Sequence, residues 1–152
     1  MRSRSRAFRN VWIFLSDEEL WGRPNDEVVS LGNLVLHLCG NVRQWIISGL
    51  GGAPDDRVRQ EKFDEVGPVP QEELVDKLKS MLAAAERVID GLTPEDLLAE
   101  RSVQAYSETG ISILLHVVEH FSYHTGQISR DTKALKGVDL GYYEDDDLDE
   151  TQ

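Results

Sequence analysis

Ile111-Ser-Ile-Leu-Leu-His116-Val-Val-Glu-His120-Phe-Ser-Tyr-His124-Thr-Gly-Gln127-Ile128 is the stretch on which the reading of this chain turns. It opens the longest helix the sequence predicts, from about Ile111 to Leu135, with Gly137 as its stop. Three histidines recur in it at steps of four residues. Each such step advances a side chain by only about 40° beyond a full turn. His116, His120 and His124 therefore share one slowly rotating face, with neighbouring Cβ atoms roughly 5–6 Å apart. At that separation two imidazoles can grip one metal ion, the geometry metalloproteases use with histidines at i and i+4.

The fourth and last histidine, His37, lies in Asn33-Leu-Val-Leu-His37-Leu-Cys-Gly-Asn41, inside a second predicted helix from about Ser30 to Ser48. Leu34, Leu38 and Trp45, with Val35, Val42 and Ile46, recur there at helical spacing. Gly49, Gly51, Gly52 and Pro54 end it. A lone histidine on such a face is usually a hydrogen-bonded core residue. With two histidines from one helix and His37 from another, three neutral imidazoles would leave coordination positions free, as catalytic rather than closed structural sites do. Glu119 is turned about 100° away from His120. Cys39 points about 200° from His37 and reads as a buried apolar residue.

Outward from these two helices, a first helix is expected from about Ser5 to Leu20 and a third from about Gln71 to Gly91, its Leu74, Leu78, Leu82 and Ala85 on one face. Thr93 and Pro94 have the form of an N-cap and first turn of a short helix. Residues 99–110 are polar, with no clear signal for a sheet. A polar connection of about twenty residues joins helices two and three. The architecture expected is all-α: a four-helix bundle over residues 1–138, ordered up-down-down-up because the long crossover lets neighbours run parallel, followed by an acidic tail over residues 139–152.

The 152 residues suit one domain, 40% apolar and 29% charged. Glu144, Asp145, Asp146, Asp147, Asp149 and Glu150 supply half of the net charge of −12. An acidic surface disfavours nucleic acid and anionic membranes as partners. The basic N-terminal residues precede too short an apolar stretch for a leader peptide, and no run reaches the eighteen or so apolar residues of a membrane span. The single cysteine forms no intrachain disulfide, and a reducing, cytoplasmic location is expected.

The two histidine segments, with Arg43-Gln44-Trp45 after the first and His120-Phe-Ser-Tyr-His124-Thr-Gly-Gln127-Ile128 as the second, resemble the DinB-like (YfiT-like) superfamily. Arg57-Val-Arg59-Gln-Glu61-Lys-Phe63 resembles a loop motif of one bacterial branch of it. The resemblance runs from about Leu15 to Tyr143, and its one departure is a first helix that begins late. It implies a bundle of up-down-down-up order with a metal site at His37, His120 and His124. His116, Asn41, Arg43, Gln127, Arg57 and Arg59 are then candidates for residues around the metal or pocket, the arginines for a substrate carboxylate. The cofactor implied is a divalent ion, zinc or nickel. A low-molecular-weight thiol is a further candidate, since some relatives are bacillithiol- or mycothiol-dependent transferases.

The functions that follow are a metal-dependent S-transferase or hydrolase acting on an electrophilic small molecule, or a non-catalytic metal- or ligand-binding bundle. A bundle without metal is the third reading. A homodimer is expected from the family habit. No Ser-His-Asp triad, phosphate-binding glycine loop or nucleotide fingerprint points elsewhere.

Overall fold

The computed structural model describes residues 11–55 and 69–144. Residues 11–14 are helical, and the chain unwinds at Leu15 and Ser16 before α1, Asp17–Trp21. The single helix expected from Ser5 to Leu20 is thus interrupted. A capping box explains the restart: Ser16 Oγ accepts from the Glu19 amide at 3.2 Å, and Glu19 Oε2 accepts from the Ser16 amide at 2.9 Å. Asp17, Glu18 and Glu19 place negative charge at the positive end of the new helix dipole.

Ser30 caps α2, Leu31–Val42, by accepting from the Asn33 amide at 3.1 Å. All twelve residues of α2 are buried. The helix continues without a break into a π-helical segment, Arg43–Leu50, closed by wide bonds such as Gly51 N–H to Ile46 C=O at 2.9 Å. A wider turn changes which residues share a face. Gly49 is required where it stands, because a Cβ there would meet Val103 at 2.6 Å.

Across the crossover, the start of α3, Gln71–Asp90, is tied back to the first helices. Asp17 Oδ1 accepts from the Gln71 amide at 2.9 Å, and the Gln71 side chain donates to the carbonyls of Trp12 and Leu15. Thr93 and Asp96 form a capping box on α4, Pro94–Leu98. The last helix, α5, spans Gly110–Lys136, capped by Thr109 and ended by Gly137 in the left-handed region at φ 63°.

The all-α expectation is corrected between α4 and α5. There β1, Glu100–Val103, pairs antiparallel with β2, Tyr106–Thr109, in the register Arg101 to Glu108 and Val103 to Tyr106. The turn between them uses Gln104 at φ 56°, the one non-glycine with positive φ among the described residues. Short hairpins normally announce such a turn with Gly, Asn or Asp, and this one does not.

α2 packs against both α3 and α5, and its π continuation does the same. One core cluster gathers Leu20, Leu34, Leu38, Leu74, Ile128 and Leu140. The other gathers Val42, Trp45, Ile46, Ala85, Val103 and Ile113. Burial at this level stabilises by roughly 1.5–3 kcal/mol for each large aliphatic side chain. Packing continues past residue 138: Leu140 is buried, and the Tyr142 hydroxyl bonds Ser129 Oγ. The acidic run from residue 145 onward lies outside the described residues. None of the described helices is long and apolar enough to cross a membrane.

Candidate metal centre

Within the buried α2, Asn33, His37 and Asn41 stand one turn apart on a single face. Polar groups buried in an apolar helix need partners. Asn33 Oδ1 accepts from Ser30 Oγ at 2.7 Å and from Arg23 Nη2 at 3.0 Å. The other two meet α5. His37 Nε2 lies 2.7 Å from His120 Nε2, and Asn41 Nδ2 lies 3.2 Å from His116 Nε2. Moving up α2 matches moving down α5, so these two helices run antiparallel and the four-residue steps of each interlock.

Three imidazoles converge. The ring centroids are 4.8 Å apart for His37 and His120, 4.9 Å for His37 and His124, and 4.5 Å for His120 and His124. One nitrogen from each ring lies within 4.8 Å of the others. Three nitrogens bound to one ion at about 2.1 Å stand about 3.4 Å from each other, inside the range spanned here. The donor set also fits a borderline cation such as zinc or nickel. Among the described residues this is the one cluster of its kind.

The surroundings bias the tautomers. Gln127 Oε1 accepts from His124 Nδ1 at 2.6 Å, which leaves the Nε2 lone pair for a ligand. The Gln127 amide donates in turn to the Tyr123 hydroxyl at 3.5 Å. His116 is held apart from the three. Its ring stacks on Trp45 at 3.8 Å and its Nε2 accepts from Asn41. Burial pushes its pKa below the ordinary histidine value, while the Glu119 and Glu108 carboxylates pull the other way.

A cavity of about 340 Å³ opens beside this cluster. The helices line it with His37, Asn41, Trp45, His116 and His120, and the hairpin with Gln104, Tyr106 and Glu108. A smaller one of about 270 Å³ shares His116 and His120 and adds Glu119 and Tyr123.

Of the residues expected around the site, His116 and Asn41 line the cavity and Gln127 contacts His124. Arg43 is not a lining residue: it donates to the Pro54 carbonyl at 3.5 Å and braces the start of the crossover. Arg57 and Arg59 lie outside the described residues. Gln104, Tyr106 and Glu108 were not anticipated. The alternation of Tyr106 and Glu108, two apart and hence on one face of a strand, was the signal available for them.

The family model described as mycothiol-S-transferase matches residues 5–130. A crystal structure of a DinB-like protein from Bacillus cereus, at 2.01 Å resolution, superposes with a TM-score of 0.69 at 18% identity, covering 91% of this chain and 88% of that one. At that identity the likeness concerns the fold. No curated protein matches the chain. With most of its length matched by the family model and the DinB-like fold around its three histidines, the chain belongs to the mycothiol-S-transferase family of DinB-like proteins.

Proposed function

We propose that the chain is a metal-dependent S-transferase that joins a low-molecular-weight thiol to an electrophilic small molecule. The observation that carries this reading is the convergence of His37, His120 and His124 beside a cavity, in a chain of the mycothiol-S-transferase family. These three residues would hold a divalent ion, zinc or nickel, through neutral imidazole nitrogens. Such an ion lowers the pKa of a bound thiol and so supplies a thiolate nucleophile at neutral pH.

The chain's own residues do the rest. Gln127 keeps the His124 proton on Nδ1. Asn41 and Trp45 fix the His116 ring by a hydrogen bond and a stack, so the cavity wall next to His120 is rigid. His116, held below its ordinary pKa by burial, offers a neutral ring there. The cavity's size suits a small molecule. In the transfer, the thiol gives up its proton, its sulfur forms a bond to the electrophilic carbon, and the leaving group departs with the bonding electron pair.

The proposal extends to assembly and place. The helices form a four-helix bundle of up-down-down-up order, α2 and α5 antiparallel within it. Ile111, Leu115 and Val118 are exposed apolar residues at i, i+4 and i+7 of α5, a stripe that suits a homodimer of such bundles. The protein works in the cytoplasm, where low-molecular-weight thiols are reduced, and without a nucleic-acid partner.

The test is a transfer assay with zinc- or nickel-loaded protein, mycothiol or bacillithiol, and a chromogenic aryl halide. Metal-dependent conjugate formation that His120→Ala abolishes is the expected result. Full metal occupancy without conjugation of either thiol would favour a binding role.

A further inference from the structure

The cavity has a chemical polarity that its histidine end does not account for. Among the described residues Glu108 is the one Asp, Glu, Lys or Arg lining it, and Glu119 lines the adjoining cavity. No Lys or Arg among the described residues lines either. The nearest candidate on the hairpin is Arg101, opposite Glu108 in the register. Its guanidinium is engaged by Asp96 at 2.6 Å, so it does not neutralise Glu108 by an ion pair.

Beside Glu108 the wall is aromatic. Tyr106 and Glu108 share a strand face. The Tyr106 ring stacks on Trp45 at 6.4 Å between centroids, and the far partner of Trp45 is His116 at 3.8 Å. Tyr106 is 57% exposed, so much of its ring is free to meet a ligand. The backbone holds this wall up against a conformational preference: Gln104, at φ 56°, turns the hairpin, and its side chain donates to Gln44 Oε1, which belongs to a chain running on to Asp55. A carboxylate beside aromatic faces attracts cations electrostatically and through the ring quadrupole.

We infer that the Trp45–Tyr106–Glu108 wall is a subsite for a cationic group, a quaternary or protonated amine, on the substrate. This rests on the reading of the cavity as the substrate site and names the class of substrate it takes. A metal held by His37, His120 and His124 would carry its charge toward His120, at the far end of the ring series Tyr106, Trp45, His116, His120. The cationic group therefore belongs on the hairpin side, with the reacting atom of the same molecule toward the histidines. An anionic substrate would meet Glu108 with no Lys or Arg among the described lining residues to compensate it.

Calorimetric titration of the full-length, zinc-supplemented protein tests this with three probes of one shape. Choline carries the charge, 3,3-dimethylbutan-1-ol is its neutral counterpart, and 3,3-dimethylbutanoate is anionic. Choline is expected to bind about tenfold more tightly than the alcohol, with the carboxylate weakest. Glu108→Gln, which keeps the side-chain shape, is expected to remove most of that preference, and Tyr106→Leu to reduce it. Equal binding of choline and the alcohol overturns the proposal. So does tighter binding of the carboxylate, an unchanged preference in Glu108→Gln, or no choline binding at millimolar concentrations. Zinc content is measured on the same samples. A choline preference without bound zinc supports the subsite and refutes the metal reading, and zinc without the preference does the reverse.

Discussion

His37 Nε2 and His120 Nε2 face each other at 2.7 Å, although 83 residues separate them in the chain. The contact crosses from a wholly buried helix to a half-exposed one and brings His124 into the same cluster. Two neutral imidazoles with their protons on Nδ1 would point lone pairs at each other at this distance. One Nε2–H donating to the other Nε2 makes the contact a hydrogen bond, and with both Nε2 lone pairs free the two rings are placed to share one cation.

Gln127 orients His124, so its removal should be felt in metal affinity. Gln127→Leu leaves the Nδ1–H without its acceptor and is expected to weaken metal binding by about 10–100-fold, measured by competition with a chromogenic chelator. Gln127→Glu, which still accepts from Nδ1, should retain most of the affinity. Equal affinities in Gln127→Leu and the wild type would mean that His124 is not a ligand.

His116 belongs to the wall and not to the ligand set. His116→Ala is expected to keep its metal while losing the stack on Trp45, a contact worth about 0.5–1.5 kcal/mol. Metal content and thermal midpoint, measured together, separate the two roles. Loss of metal in this variant would make His116 a ligand.

Glu19 links α1 to the end of α5. Its carboxylate accepts from Lys136 Nζ at 2.7 and 2.9 Å and from the Ser16 amide, and these contacts hold its pKa down from 4.5 to about 2. A carboxylate with a depressed folded-state pKa stabilises the fold above its unfolded value and loses that contribution as pH falls through the folded one. The wild type should therefore melt above Glu19→Gln at neutral pH, with the gap closing between pH 4.5 and about 2. A gap that is absent at neutral pH, or unchanged at the acid end, would contradict this.

The histidine stripe was legible because the helical period is fixed: residues 116, 120 and 124 must share a face wherever that helix lies. Gln127 came with the family motif that ends the stripe. The pairing with His37 depends on how two distant helices dock, which no local period encodes; His37 followed as the one histidine left, and the family resemblance implied that His120 and His124 join it. The hairpin was not legible, since its turn is built on Gln104 and Ala105 instead of a glycine or asparagine. Tyr106 and Glu108 were lost with it. The π-helical turn at Arg43–Leu50 carries no Pro or insertion that marks it, and the Arg43 contact with the Pro54 carbonyl depends on how the chain folds back after it. The break at Leu15 and Ser16 could have been read from Ser16 and Glu19, a capping pair inside a pattern that otherwise looked continuous.

The central claim is that His37, His120 and His124 hold one divalent ion. Elemental analysis of untagged protein purified without chelators tests it most directly, beside His37→Ala, His120→Ala and His124→Ala. Near-stoichiometric zinc or nickel in the wild type, lost in all three variants while helical circular dichroism is retained, is the expected result. A wild type that takes up no metal even after supplementation, or a His120→Ala variant that keeps it, would contradict the account.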